Sequence, residues 1–434
     1  MQAVLDLQAM GIETATALMF GLLFLLLLTG MPLAFVTLLV ALVSALGFYG
    51  TMAIPLIASR IFSFVNSFVF VSVTMFVLMA ALLDRSGIAR DLFEAMRLMG
   101  GRLRGGVAVQ TLAVAVVLAA MSGIIGGEVI LLGVIALPQM LRLGYDRKLA
   151  IGVCCAGGAL GTMVPPSIVL IIYGLTANVS IGALFSAAFL PGLMLAALYV
   201  AYVLIRAWAN PSVAPALPPE EIPAEEKRAL LAGLVLPLAV VAFVLGSIYL
   251  GIASVTEASA IGVIGVLLST LLRRECSLDL VIGAARQTLS TVGTIVWIGI
   301  GASALIGVFN LMGGIRFVSG LIAGVSEEPI VVVLVMMGIL FILGMFLDWV
   351  GIALLTLPIF VPIIKDLGYD PVWFGVVFAM NMQVSFLSPP FGPAAFYLKS
   401  VTPPDISLAE IFTALLPFIG LQVLALALLL FVWV

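Results

Sequence analysis

Hydrophobic residues dominate this chain in runs that are long enough to cross a lipid bilayer. Runs such as Leu184–Trp208, Leu230–Leu250 and Leu408–Val434 each reach the roughly 20 apolar residues that a helix needs to span the hydrocarbon layer. Segments of about ten residues with strict apolar–polar alternation, the pattern of membrane β-strands, do not stand out. The pattern therefore predicts an all-α polytopic membrane protein.

Two stretches of the chain repeat one another. Pro138–Ser167 and Pro362–Phe391 align without a gap at a constant offset of 224 residues (362 − 138 = 224). A Pro-Pro pair recurs at the same offset, at 165–166 and at 389–390. A long repeat inside an apolar chain indicates that one structural unit is used twice.

One apolar segment in each half is predicted to enter the membrane and return as a re-entrant hairpin. The first, about 107–141, is interrupted near residues 122–128, and Arg and Lys flank both of its ends. Because positive loops face the cytoplasm, both ends are expected on that side. The second, about 330–364, has its interruption near 344–351 and carries Glu327 and Glu328 at its start. The opposite flanking charge predicts that the second copy is inverted.

Each hairpin is followed by a span that the sequence interrupts, at about 149–173 and about 373–397. Proline removes a backbone donor and disfavours helix in the preceding residue, so both spans are predicted to be broken helices. A short arm helix is expected before the third span of each half, at 51–64 and again before 287–310.

The prediction for each half is thus five spans and one hairpin. The first repeat covers 1–209, a Pro- and Glu-rich cytoplasmic linker covers 210–228, and the second repeat covers 229–434. Because five is odd, the second copy is expected upside down, with both termini outside.

Composition restricts the chemistry. Hydrophobic residues make up 64% of the 434 positions, charged residues make up 9%, and histidine is absent. Nucleophile–histidine pairs and histidine metal ligands are therefore excluded. The three cysteines, Cys154, Cys155 and Cys276, lack metal-site spacing and are expected as free thiols. No nucleotide loop of the GxxxxGK[ST] type and no basic tract for nucleic acid occurs, and neither a cofactor nor a transition metal is predicted.

The candidate binding groups cluster at the two helix breaks. A break inside the membrane presents a positive helix N-terminus to an anion and frees carbonyl groups for a cation. The break in the second copy carries neutral oxygens and amide donors from Asn381, Gln383, Ser385 and Ser388. The alternative is that Gly and Pro simply allow close packing of helices. Their recurrence at a fixed offset beside a hairpin favours a binding function.

Two carboxylates lie in the predicted hairpin tips, Glu128 in the first and Asp348 in the second. An ionisable group at membrane depth usually faces a cavity or a partner, which favours cation coordination or proton coupling. The alternative is a helix cap. Helix capping is the expected role of Glu257, Asp146 and Asp370, which occur at loop-to-helix junctions.

The chain resembles the large membrane subunit of tripartite ATP-independent periplasmic (TRAP) transporters, within the wider ion transporter superfamily. The resemblance runs nearly end to end and rests on these stretches: GALGTMVPPSIVLIIYG (158–174), SIGALFSAAFLPGLML (180–195), GSIYLGIASVTEASAIG (246–262), GMFLDWVGIALLTLPIFVPIIKDLGYDP (344–371) and FLSPPFGPAAFYLKSVTPPDI (386–406). It implies a sodium-driven, elevator-type transporter in the bacterial inner membrane. It further implies two partners, a small four-span membrane subunit and a periplasmic binding protein that delivers an organic acid.

The resemblance also implies site residues. Sodium is expected between each hairpin tip and the neighbouring broken helix, at Ser122, Gly123, Gly161, Thr162 and Pro165 in the first copy and at Asp348, Asn381, Ser385, Ser388 and Pro389 in the second. The candidate substrate contacts are Gly127, Glu128, Ser167, Gln383 and Gly392. The first tip, MSGIIGGEVILLG, departs from the Ser- and Thr-rich tip of many family members, which leaves the number of sodium ions open.

The sequence thus predicts a secondary transporter subunit that imports an organic acid and is driven by an ion gradient, with sodium as the expected ion. A proton-coupled transporter and a channel remain the alternatives. An intramembrane enzyme is disfavoured, since the chain lacks histidine and paired carboxylates at a fixed helical spacing.

Overall fold

A computed structural model describes residues 10–100, 103–123, 126–216 and 224–433. Within these ranges all regular structure is helical, which confirms the predicted all-α class. Seven of the described helical segments are long and apolar enough to cross a membrane. One of the seven, Trp349–Asp366, belongs to the predicted second hairpin. The other helices of the predicted hairpins and broken spans are shorter.

The described part of the first half contains ten α-helices. In chain order they are α1 (Gly11–Leu28), α2 (Leu33–Tyr49), α3 (Ala53–Val65), α4 (Val69–Arg85), α5 (Ile88–Gly100), α6 (Gly106–Ser122), α7 (Gly127–Arg142), α8 (Arg147–Ala159), α9 (Ile168–Ala177) and α10 (Ile181–Ala209). Helices α6 and α7 form the predicted first hairpin, and α8 and α9 are the two parts of the first broken helix.

Residues 224–433, the described part of the second half, contain nine α-helices. They are α11 (Ala224–Tyr249), α12 (Val255–Leu272), α13 (Leu278–Leu311), α14 (Gly314–Ala323), α15 (Pro329–Gly344), α16 (Trp349–Asp366), α17 (Pro371–Leu387), α18 (Pro393–Lys399) and α19 (Leu408–Phe431). The sequence offset holds for helix ends, since α8 begins at 147 and α17 at 371 (147 + 224 = 371). Both Pro-Pro pairs contain a cis peptide bond. The two broken spans therefore begin at equivalent positions, while an inverted repeat of the two halves stays a prediction.

The long helix α13 is the main departure from the predicted element order. In the first half α3 and α4 are separate, with Asn66 ending α3. The corresponding part of the second half lies inside α13, which runs from Leu278 to Leu311 without a break. Asn favours non-helical backbone, whereas here Thr294 Oγ1 donates to the Ser290 carbonyl within the helix (2.9 Å). The separate arm predicted before residue 287 was therefore wrong.

Helix α13 is also central to the packing. It contacts α2, α3 and α4 from the first half, and it contacts α16 of the second hairpin. The first hairpin packs on α8, and α15 and α16 pack on α17. Each hairpin thus lies against the broken helix that follows it in the chain.

The residues after α10 are more ordered than a free linker. The Asp146 amide donates to the Val213 carbonyl (2.7 Å), and the Gly105 amide donates to the Ala214 carbonyl (3.0 Å). These bonds fasten the start of the predicted linker to the base of the first hairpin. Helix α11 begins at Ala224, so the predicted linker boundary at 228 was too late. Residues 217–223 lie outside the described residues.

The three expected helix caps are confirmed. The Asp146 carboxylate accepts from the Leu149 amide (2.9 Å), and the Asp370 carboxylate accepts from the Val372 amide (2.8 Å). Glu257 forms a capping box with Ser254 at the start of α12. These carboxylates satisfy backbone donors that a helix start leaves without partners.

Charged residues outside the membrane spans join the two halves. Arg273, after α12, forms ion pairs with Asp91 of α5 (2.5 Å) and with Glu275 (2.9 Å). Glu275 also accepts from the Gly87 amide (3.1 Å). The hydrogen bond from Arg273 holds the pKa of the Glu275 carboxyl below its ordinary value.

The close contact between α7 and α8 yields a stability prediction. A Cβ atom at Gly158 would lie 2.7 Å from the backbone nitrogen of Val129 and 2.8 Å from its Cα. We expect Gly158→Ala to lower the free energy of unfolding by about 1–3 kcal/mol, as overpacking does, in thermal unfolding of the detergent-solubilised protein. Gly420→Ala is the control, because Gly420 has nothing within 4 Å of a built Cβ. Equal stability of the two variants would contradict this packing.

The Arg273 network yields a pH prediction. Glu275→Gln should lower the free energy of unfolding at neutral pH by up to about 1 kcal/mol, the range of partly exposed ion pairs. Because the pKa of Glu275 is lowered in the folded state, its contribution is present above the unfolded pKa of about 4.3 and is lost as pH falls below it. Thermal unfolding across acid pH should show the two proteins converge. A difference that grows as pH falls would contradict the assignment.

Candidate functional site

A cavity of about 410 Å³ lies where both hairpins, both broken helices and α13 meet, and we call it the central cavity. Its described lining consists of Gly123, Thr162, Ile168, Ser290, Thr291, Thr294, Ile295, Ile298, Asp348, Trp349, Val350, Phe386, Pro393 and Tyr397. Asp348 is the one charged side chain among these residues. A mixed apolar and hydroxyl lining of this size suits a small organic molecule.

Three helices begin at the central cavity: the short α18 at Pro393, α9 at Ile168 and α16 at Trp349, and all three residues line the cavity. Of these helices, α9 and α16 have ten or more residues. Helix N-termini carry partial positive charge and unpaired amide groups, which favour anions. On the α13 side the cavity is lined by Ser290, Thr291 and Thr294. The arrangement can bind a carboxylate without a basic side chain.

The tip of the second hairpin carries Asp348 at the start of α16. Its carboxylate accepts from the Val350 amide (3.1 Å), so the helix-cap interpretation of Asp348 holds. The same residue lines the central cavity and a second space of about 10 Å³, which also borders Gly344, Ser385 and Met382. That volume is about what one water-sized particle occupies. Capping and ion binding are therefore compatible at Asp348.

The polar side chains of the second broken helix face inward. Asn381 Nδ2 donates to the Met337 carbonyl of α15 (3.1 Å), which ties the helix to its hairpin. The hydroxyls of Ser385 and Ser388 donate to the carbonyls of Asn381 (3.3 Å) and Val384 (2.7 Å). Each hydroxyl thus keeps its lone pairs free for a cation.

The two Pro-Pro breaks have different surroundings. Pro165 is buried, whereas Pro389 is exposed. Gly392 then precedes α18 with a φ of 29°, a backbone conformation that favours glycine. A Cβ atom at Gly392 would lie 2.7 Å from the Phe412 ring and 2.9 Å from the Ser388 carbonyl oxygen. Gly392 is not among the described lining of the central cavity. The second break is therefore the more open of the two.

The tip of the first hairpin is fastened to the first break by backbone. The Ile168 amide donates to the Gly123 carbonyl (3.3 Å), and Gly123 has a φ of 63°. A Cβ at this position would overlap the Pro166 carbonyl, which requires glycine. The Ser167 hydroxyl donates to the Thr162 carbonyl (2.5 Å) and is buried inside the break rather than in the cavity.

Glu128 lies beside the same break. Its carboxylate accepts from the Ser122 hydroxyl, and it packs against Gly161, where a Cβ would lie 2.6 Å from Glu128 Oε1. Glu128 is 2% exposed. Ser122, Glu128 and Gly127 line a separate space of about 230 Å³, which we call the side chamber. Thr291 and Tyr397 line both spaces.

Gln383 joins the two broken helices. Its Nε2 donates to the Ala159 carbonyl (2.8 Å) and to the Thr162 hydroxyl (2.6 Å). Ala159 and Gln383 are equivalent positions of the repeat (159 + 224 = 383). The two copies therefore meet at this hydrogen bond. Gln383 is 0% exposed and does not line the central cavity, so its predicted substrate contact stays a prediction.

Several residues at the site were not found by sequence reasoning. They are Asp84, Gln287, Ser290, Thr291, Thr294 and Tyr397, which come from α4, α13 and α18. The sequence could have indicated the α13 residues, because the hydroxyl side chains at 290, 291 and 294 are close together in an otherwise apolar helix. Asp84 and Tyr397 carry no comparable pattern in the sequence.

Comparison with known proteins identifies the family. The model of the tripartite ATP-independent periplasmic transporter, DctM component, matches residues 20–434. The chain belongs to this family. Its members in the comparison are named as transporter permeases, and the chain is accordingly a multi-pass TRAP large permease subunit.

Individual TRAP relatives differ in what their names say they carry. The chain is 30% identical to the C4-dicarboxylate large permease DctM of Pseudomonas aeruginosa, over 84% of each chain. It is 30% identical to the ectoine/5-hydroxyectoine large permease UehC of Ruegeria pomeroyi, over 74% of each. It is 27% identical to the sialic acid large permease SiaM of Vibrio cholerae, over 91% of each.

A solved structure supports the fold of the TRAP subunit. The crystal structure of the Alcanivorax borkumensis YdaH transporter superposes with a TM-score of 0.60 over 87% of each chain. The two sequences are 15% identical, so the likeness concerns the fold alone.

Proposed function

We propose that this TRAP subunit imports an organic acid across the bacterial inner membrane and that a sodium gradient drives the import. The observation that carries the proposal is the central cavity, where two helix N-termini and a row of hydroxyls converge between both hairpin tips. Such a lining can hold a carboxylate and release it, because no basic side chain of the described lining forms a fixed ion pair with it.

Asp348 suggests how sodium and substrate are linked. Its carboxylate borders both the central cavity and the 10 Å³ space beside Ser385. An unneutralised carboxylate would repel an organic anion by about 4 kcal/mol at 4 Å for an effective dielectric constant near 20. A sodium ion in the small space would cancel that repulsion. Substrate binding therefore depends on prior sodium binding, and linkage makes the dependence mutual.

We propose the partners and the movement of the complex because the chain belongs to the TRAP family. A periplasmic binding protein delivers the acid, and a small four-span subunit enlarges the static part of the complex. The hairpins and broken helices bind the acid and the ions and move together as one rigid domain across the membrane, which is an elevator movement. Relatives are named for C4-dicarboxylates, sialic acid and ectoine, so the choice of acid must come from the cavity lining and the binding protein.

The proposal is tested by transport. The subunit is reconstituted in proteoliposomes with its two partners, and uptake of a panel of labelled organic acids is measured with and without an inward sodium gradient. We expect accumulation above the outside concentration only with the gradient. Equal flux without any gradient would indicate a channel, and accumulation driven by a pH gradient alone would indicate proton coupling.

A substitution at Asp348 tests the role of this carboxylate. Asp348→Asn retains a side-chain oxygen for the helix cap but removes the charge that holds sodium. We expect the sodium concentration for half-maximal uptake to rise at least about tenfold, equivalent to about 1.4 kcal/mol. Asp370→Asn is the matched control, since Asp370 caps α17 away from the described lining of the cavity. Unchanged sodium activation in Asp348→Asn would refute the role.

A further inference from the structure

The side chamber is a second polar space that the transport site does not use. It has a volume of about 230 Å³ and lies between the tip of the first hairpin and helices α4 and α13. The hairpin contributes Ser122, Gly127 and Glu128, and the opposite side contributes Asp84 and Gln287. Two carboxylates thus line one chamber within an apolar protein.

Glu128 lacks a partner for half of its carboxylate. Oε1 accepts from the Ser122 hydroxyl, whereas the buried Oε2 has no hydrogen-bond partner among the described residues. The side chain is 2% exposed. Burying a carboxylate oxygen without a hydrogen-bond donor or a cation costs free energy of folding. The unpartnered oxygen therefore indicates a ligand that supplies positive charge.

Asp84 approaches the hairpin tip from α4. A Cβ at Gly127 would lie 2.5 Å from Asp84 Oδ2, so the carboxylate touches the backbone beside Glu128. Gln287 Nε2 donates to Asp84 Oδ2 (3.4 Å), and Gln287 Oε1 accepts from Arg85 (3.3 Å). Arg85 is thereby directed to Gln287. Among the described residues, neither Asp84 nor Glu128 forms an ion pair.

We propose that Glu128 and Asp84 form a cation site in the side chamber that holds one sodium ion or one proton, in addition to the site at Asp348. The proposal rests on the proposed ion-driven transport. Carboxylate, hydroxyl and amide oxygens are hard ligands that suit a small monovalent cation, and the volume leaves room for water around it. The other ionisable group in the described lining of the chamber is Tyr397 of α18, and Arg85 of α4 is bonded to the lining residue Gln287.

The site has a structural consequence. Glu128 belongs to the hairpin, while Asp84 belongs to α4, which packs against α12 and α13. A cation shared by the two carboxylates would join the hairpin to these helices. Loss of the cation would leave two like charges facing each other and would favour separation. The side chamber therefore couples cation occupancy to the position of the hairpin.

Equilibrium binding tests the proposal without transport. Purified protein in detergent is titrated with ²²Na⁺ at mildly alkaline pH, and bound ions per chain are counted for wild type, Glu128→Gln and Asp84→Asn. Glu257→Gln is the matched control, because Glu257 caps α12 and glutamine can still serve in a capping box. If the site takes sodium, each of the two chamber variants binds one ion fewer than wild type and control.

Infrared spectroscopy distinguishes a proton from sodium. If the site takes a proton, sodium counts are unchanged, but the carbonyl stretch of a protonated carboxyl group in wild type disappears in Glu128→Gln. Unchanged sodium counts together with no protonated carboxyl band overturn the proposal. If Glu128→Gln does not give a monodisperse protein, two measurements remain. They are the sodium count of Asp84→Asn and the presence or absence of the protonated carboxyl band in wild type. Failure of the proposed function would show separately, as uptake that does not respond to sodium.

Discussion

Backbone groups freed at a helix break inside a membrane must find partners in the protein, because lipid offers none. This requirement explains why each break lies against a hairpin and against the other copy. The Ile168 amide finds the Gly123 carbonyl of the first hairpin tip, and Gln383 reaches the Ala159 carbonyl across the repeat. The first residues of α9 and α16, Ile168 and Trp349, also line the central cavity.

The two copies satisfy this constraint in different ways. In the second, Asp348 caps its own helix and borders a space the size of one small ion, while the nearby Pro-Pro pair is exposed. In the first, glycine contacts close the tip onto a buried Pro-Pro pair, and Glu128 packs against Gly161 and lines the side chamber. The two copies of the repeated stretch thus differ in the groups around their carboxylates: Asp348 borders a small space beside Ser385, and Glu128 lines a chamber together with Asp84.

Much of this architecture is encoded locally and could be predicted from sequence. The offset of 224 residues and the Pro-Pro pairs can be found in the sequence itself. The caps at Asp146, Asp370 and Glu257 depend on neighbouring residues in the chain. The continuity of α13 was missed, because whether a helix ends before Gln287 is decided by packing rather than by propensity. Asp84 and Tyr397 were missed for a similar reason: only the fold brings α4 and α18 to the hairpin tip, and neither residue belongs to a repeated pattern.

The most direct test of the account compares two cryo-electron microscopy reconstructions of the protein in lipid nanodiscs, one in sodium chloride and one in choline chloride. The central claim predicts a density, present only in sodium, in the space between Asp348, Gly344 and Ser385, together with an ordered second hairpin tip. Identical maps at this position, for a preparation whose uptake requires sodium, would contradict the claim that Asp348 links the ion to the substrate.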